Sequence, residues 1–222
     1  MTREPRYAPD TTPVAGALIV VNLAIFVLDA VRSYGSAGTA DHVSDLQVHL
    51  VIAQRFLDDG EWWRLVTAGF VHFGPLHVAM NMLLLFQLGR MLEPALGSAK
   101  FALLYAASLV GGSVGAVMLT PQALTGGASG AVFGLMAAAV VGVARRGGNP
   151  MSTGLGATFA VNIVLTLAIP GISIGGHFGG AIAGAACGAV MLAPVWREPP
   201  QWVQVATPVI VGAACVVLAL SR

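Results

Sequence analysis

Long apolar stretches, separated by short joints rich in glycine, proline or polar residues, run along most of this chain. Seven of them approach the ~20 residues that a bilayer core asks of a helix. They cover residues 13–33, 75–92, 99–119, 128–145, 153–169, 175–195 and 202–220. The fifth is diluted by Asn162 and Thr166 and ended by Pro170. The pattern predicts an all-α membrane protein with seven transmembrane helices. One connection is long. In residues 34–74, Leu46, Leu50, Ile52, Phe56 and Leu57 sit among Asp45, Gln47, His49, Gln54 and Arg55, roughly at helical spacing. Trp62 and Trp63 follow, and such rings favour the membrane–water interface. This first loop is expected to lie in or on one leaflet.

Composition agrees. Of 222 residues, 56% are apolar and 9% charged, against roughly 25% charged in a soluble domain. The net charge is +1, and no basic run suggests a nucleic-acid partner. Cys187 and Cys215 lie within apolar segments and read as packing residues rather than a disulfide or a reactive pair. Arg3 and Arg6 precede a run over 14–31 that is too long for a signal-peptide core, which makes it a retained signal anchor.

Lysine and arginine set the orientation. A cytoplasmic N-terminus puts Arg3, Arg6, Arg90, Lys100, Arg145, Arg146 and Arg197 inside, and Arg32, Arg55, Arg64 and Arg222 outside. The excess favours N-terminus in and C-terminus out. The second, fourth and sixth helices then all run inward from the outer face. His77, Ser129 and His177 each stand near the start of one of them. At 1.5 Å per residue, a residue about three to six positions in lies roughly 5–9 Å below the outer boundary, so the three are expected at one depth.

Polar groups at membrane depth need partners or a task. Ser129 stands between the glycines of 126–127 and an apolar helix. A helix N-terminus offers free N–H groups and a positive dipole end, so an oxyanion forming beside Ser129 would be stabilised. The hydroxyl needs a base, and His177 is the candidate. Gly176, Gly180, Gly184 and Gly188 form a small-residue stripe on the sixth helix, and Gly130, Gly134, Ala138 and Gly142 form one on the fourth. Packed together, the stripes would bring His177 beside Ser129. Packing alone would also account for these glycines. His77 and Asn81, four apart, share a helix face; they either tie helices together or donate to the same oxyanion.

There is no acidic residue between Glu93 and Glu198, and Asp29 on the first helix is placed deeper or off the site. A Ser–His dyad is therefore the economical reading, not a triad. No His-Glu-x-x-His pattern occurs, the remaining histidines (His42, His49, His72) sit in the first loop, and no pair of intramembrane aspartates exists. No metal or other cofactor is expected.

These residues resemble, in order, the motifs of the rhomboid intramembrane serine proteases. The matching pieces are Trp63-Arg64, the stretch from His72 through His77 to Asn81, Gly89 and Glu93 followed by Gly97, Gly127-Ala128-Ser129-Gly130, and Gly176-His177 with Gly180 and Gly184. The resemblance implies a six-helix catalytic core over 13–195, a cytoplasmic tail over 1–12, and a linker with a seventh helix over 196–222. It implies Ser129 as nucleophile and His177 as base, then acid. Asn81, His77 and the N–H groups of Ser129 and Ala128 would form the oxyanion hole. Arg64 and His72 match positions that serve structure. Phe133 stands where many members have tyrosine, and its ring is expected to stack on His177 without the hydroxyl. The loop at 170–175 would cap the site and the fifth helix would gate it. Implied partners are transmembrane protein substrates and the lipid bilayer, in a cell membrane with the site opening to the extracytoplasmic side. The oligomeric state is left open. An inactive rhomboid-like protein that binds membrane clients is the alternative, disfavoured because serine and histidine are both present. A small transporter fits less well, since no inverted repeat or acidic coupling site is visible.

Overall fold

The computed structural model describes residues 11–33 and 43–221. Arg3, Arg6, His42, Arg222, most of the tail over 1–12 and part of the first loop lie outside the described residues. Helix α1 spans Pro13–Arg32. Three short helices follow in the first loop: α2 (Asp45–Leu50), α3 (Gln54–Asp58) and α4 (Arg64–Thr67). The remaining helices are α5 (Pro75–Leu96), α6 (Ser98–Leu119), α7 (Ser129–Arg145), α8 (Leu155–Ala168), α9 (Ile174–Met191) and α10 (Gln201–Leu220). All seven apolar segments are helical, and the fold is an all-α membrane bundle.

The seven helices differ in length. By length and composition α1, α6, α9 and α10 can cross a membrane, and Arg64–Phe70 with α5 can do so as one span bent by 99°. Helix α7, at 17 residues, rises about 25 Å and α8, at 14, about 21 Å, against a hydrocarbon core of ~30 Å. The apolar segments exceed α7 by one residue, Ala128, and α8 by three, Thr153, Gly154 and Ile169. The sixth segment also ends early, at Met191 rather than 195. Pro194 lies just beyond and disfavours helix in the residue before it. The second runs longer, to Leu96, with Pro94 inside its last turn.

Helices α6, α7 and α9 form the centre, and α7 is buried throughout 130–139. Their contact is backbone on backbone. A methyl group on Gly180 would stand 2.0 Å from the Gly130 carbonyl oxygen, and one on Gly184 would stand 2.1 Å from that of Gly134. Gly188 meets Ala138 in the same way. Gly176 presents its carbonyl oxygen to Gly130, 3.1 Å from a methyl built there, and one member of the expected stripes turns elsewhere, Gly142 meeting Leu192. Sequence reasoning paired α9 with α7 alone. The structure uses a second row, Gly175 and Gly179, against Gly115 and Gly111 of α6. The doubled glycines at 111–112, 175–176 and 179–180 were the available signal, since adjacent glycines on one helix serve two neighbours.

Helix α1 is held at its start by a borrowed cap. Thr12 makes no side-chain cap bond. The Glu93 carboxylate on α5 instead accepts from the N–H groups of Val14 (3.0 Å) and Ala15 (2.9 Å), and from the Ser98 hydroxyl (2.7 Å). An anion at a helix N-terminus is also favoured by the dipole. Glu93→Ala is expected to lower stability by about 1–3 kcal/mol, the range for losing a partner of buried donors. Thermal unfolding in detergent checks this, and an unchanged midpoint would contradict it.

In the first loop the polar and apolar faces are partly exchanged. Gln47 is buried while Val48 is exposed, so helical spacing misled. Gln47 turns inward to partners of its own, its Nε2 donating to the Asp29 carboxylate (2.9 Å) and the His72 carbonyl (3.3 Å). Arg64 ties the loop together. Its Nη1 donates to the carbonyls of Val48 (2.7 Å) and Val51 (2.8 Å), its Nε pairs with Glu61, and its guanidinium lies 3.9 Å from the centre of the Phe56 ring. Trp62 and Trp63 stay exposed. The loop then holds the segment leading to α7. Ile52 and Thr125 exchange backbone hydrogen bonds at 2.9 Å, the Gln54 N–H donates to the Pro121 carbonyl, and the Gly127 N–H donates to the Ala68 carbonyl.

Candidate active site

The approach to α7 fixes where Ser129 stands. Gly127 has φ +133°, a conformation that glycine tolerates and other residues rarely adopt. A methyl there would lie 2.8 Å from His77 Nε2 and 3.7 Å from Ser129 Oγ. The space that Gly127 leaves open is thus bordered by His77 and Ser129. Ser129 is the first residue of α7, where the leading N–H groups have no partner within the helix.

His177 sits in the first turn of α9. The Ser173 hydroxyl caps that turn, accepting from the Gly176 N–H at 3.0 Å. The imidazole Nε2 is 2.8 Å from Ser129 Oγ. Phe133, one turn into α7, stacks on the ring with centroids 4.0 Å apart and planes 17° apart. Phe159 of α8 packs edge-on against Phe133, with centroids at 6.0 Å. On the far side of the imidazole, Nδ1 is 2.7 Å from Thr166 Oγ1, also on α8. This contact escaped the sequence reading, which took Thr166 only as a dilution of the fifth segment. The signal was present: a polar residue at membrane depth calls for a partner.

His77 enters from α5. The Phe73 N–H donates to its Nδ1 at 3.2 Å. In the neutral ring the one N–H is then on Nε2, the atom bordering the Gly127 space. Asn81, one turn on and buried, donates through Nδ2 to the His77 carbonyl at 2.9 Å. Its amide has a second N–H to offer. Among the described residues no hydrogen bond links Asn81 to Ser129. The Ala128 N–H points to His72 Nε2 at 3.4 Å, so this donor already has a partner. His72, fully inside the protein, lies with its ring 5.0 Å from that of His77. Asp29 is occupied elsewhere, accepting from the Ser44 hydroxyl and from Gln47 Nε2.

A hydroxyl at hydrogen-bond distance from an imidazole nitrogen, at a helix N-terminus beside a second ring N–H, is a set suited to nucleophilic attack on a carbonyl.

Comparison with known proteins gives the family. The family model described as the Rhomboid domain matches residues 59–194, a span from the end of α3 to just past α9. The chain is 36% identical over 129 residues to rhomboid protease GluP of Bacillus subtilis, covering 56% of this chain and 25% of that protein. It is 34% identical over 148 residues to RHOMBOID-like protein 5 of Arabidopsis thaliana, covering 64% and 48%. It is also 34% identical over 134 residues to Rhomboid-like protease 3 of Toxoplasma gondii, covering 56% and 49%. The chain thus spans between a quarter and a half of the length of these relatives. The match takes in every helix that carries a residue of the site, and the chain belongs to the rhomboid family.

Proposed function

We propose that this protein is an intramembrane serine protease that hydrolyses peptide bonds in or near the transmembrane segments of other membrane proteins. The observation that carries this is the 2.8 Å approach of Ser129 Oγ to His177 Nε2 at the N-terminus of α7. The protease names of two of the relatives support the same reading.

In this mechanism the Ser129 oxygen attacks the substrate carbonyl carbon while its proton passes to His177 Nε2. The negative charge on the carbonyl oxygen is met by the Ser129 N–H, by His77 Nε2–H and by the second N–H of Asn81. Ala128 N–H joins them when it leaves His72. Collapse breaks the C–N bond, and the proton on Nε2 goes to the leaving nitrogen. An acyl-enzyme remains on Ser129. Water, deprotonated by His177, then releases it. Phe133 keeps the imidazole in plane through both steps.

The short α7 gives the site its depth. Arg145 and Arg146 hold its far end at a headgroup layer, so Ser129 lies about 5 Å inside the opposite boundary of a ~30 Å core. With Arg145 and Arg146 in the cytoplasm, the site opens to the extracytoplasmic side of a cell membrane. The catalytic core is 13–195, preceded by the cytoplasmic tail 1–12 and followed by a linker and seventh helix over 196–222. Helix α8, exposed along most of its length, is where substrate enters from the bilayer.

The test is direct. The protein is reconstituted in vesicles with a single-span substrate bearing helix-relaxing residues and a small residue before the intended bond. A fragment ending in or beside the membrane segment is expected from the wild type and not from Ser129→Ala. No fragment, or the same fragment from both, sinks the proposal.

A further inference from the structure

The site has no carboxylate to hold the catalytic histidine, yet the back of the His177 ring is not empty. Thr166 Oγ1 lies 2.7 Å from Nδ1. The same oxygen is also 2.7 Å from the carbonyl of Asn162, to which it donates. A hydroxyl has one proton and two lone pairs. With that proton committed to Asn162, the Thr166 oxygen can only accept from His177. Nδ1 must then carry the ring proton. A neutral imidazole has a single N–H, so Nε2 keeps its lone pair, and that is the atom facing Ser129.

Thr166 stands apart on its helix. It is 2% exposed and is the one buried residue of α8. Its neighbours Leu165 and Leu167 face outward. Phe133 covers the face of the imidazole, which fixes the plane of the ring but leaves it free to turn within that plane. A bond at Nδ1 removes this remaining freedom. It also fixes the tautomer, a task that stacking cannot perform.

We propose that Thr166 is the positioning residue of this site, holding the His177 proton on Nδ1 so that Nε2 is free to take the proton of Ser129. The proposal rests on the Ser129–His177 reading above. When Nε2 takes the serine proton, the ring becomes an imidazolium. Its Nδ1–H stays donated to Thr166 Oγ1 throughout, and the Nε2 proton later leaves on the amine product. No proton is lost to Thr166, which acts as a neutral acceptor where a triad has a carboxylate.

Three forms of the full chain in detergent micelles test this: wild type, Thr166→Val, which keeps the shape and removes the hydroxyl, and Thr166→Ser, which keeps the hydroxyl. Thr166→Val is expected to lower kcat roughly 10–100-fold, the loss for a hydrogen bond to a group that becomes charged, with KM unchanged. Thr166→Ser is expected to stay within about 3-fold of wild type, since it removes only a methyl group. Nitrogen-15 spectra of labelled histidine give a readout independent of cleavage. His177 is expected to carry its proton on Nδ1 in the wild type and to lose that preference in Thr166→Val. Full kcat in Thr166→Val, a serine variant as slow as the valine one, or a wild-type proton on Nε2 would each overturn the role of Thr166. If the wild type cleaves nothing, the protease reading fails by itself, and the nitrogen spectra still decide whether Thr166 sets the tautomer.

Discussion

Ser129→Ala and His177→Ala are each expected to reduce cleavage by at least about 10³-fold, with the double variant no slower than either single one. The two side chains form one unit joined by a 2.8 Å hydrogen bond. Without the imidazole the serine oxygen keeps its proton and attacks poorly, and without the oxygen the imidazole has nothing to deprotonate. Losses that multiply would mean two independent contributions, which this geometry does not support. Fold integrity is checked by comparing the unfolding midpoints of the variants. Both residues are half-buried or buried, yet neither fills a large core volume, so little loss of stability is expected.

Gly180→Ala is expected to be nearly as damaging although it touches neither reacting group. The added methyl would stand 2.0 Å from the Gly130 carbonyl oxygen and 2.6 Å from its carbon. Both are backbone atoms that no side-chain rotation can move aside. Helices α7 and α9 must separate, and the residues next to the point of separation are Ser129 and His177. A displacement of about 1 Å between reacting groups can cost ~10²-fold in rate. Overpacking of this kind also destabilises by about 1–3 kcal/mol. Gly212→Ala on α10 is the control, because a methyl there meets only Ala107 Cα at 3.9 Å. Cleavage rates for the two variants, measured side by side, check the claim. Equal rates would show that the close approach of α7 and α9 does not set the site.

Much of this architecture was legible in the residues because membrane burial leaves few options. A segment must be helical to satisfy its own backbone, so the seven apolar runs located the seven long helices to within a few residues. His77, Ser129 and His177 could be brought to one level by counting residues from each helix start. The helix ends were less legible, since hydropathy does not separate the last turn of a helix from an apolar loop, and the sixth segment was carried to 195, past the helix end at Met191, for that reason. The first loop misled for a different cause. Its helical pattern assumes one flat apolar environment, whereas Arg64 gathers carbonyls and Gln47 turns inward to Asp29 and the His72 carbonyl. Thr166 was missed because a lone hydroxyl in an apolar run can satisfy itself on its own helix. It does so here, through Asn162, so a polar residue at membrane depth was visible but did not by itself point to His177 as its second partner. The row of glycines facing α6 was visible, but pairing it with a partner required knowing which helices are neighbours.

The most direct measurement is covalent. Purified protein in detergent is treated with a fluorophosphonate, and the modified peptide is located by mass spectrometry, for the wild type and for His177→Ala. The expected result is one adduct, on Ser129, formed by the wild type and slowed by at least about 10²-fold without His177, in line with the loss of general-base catalysis. An adduct on another residue, or labelling of Ser129 that is undiminished when His177 is removed, would contradict the account.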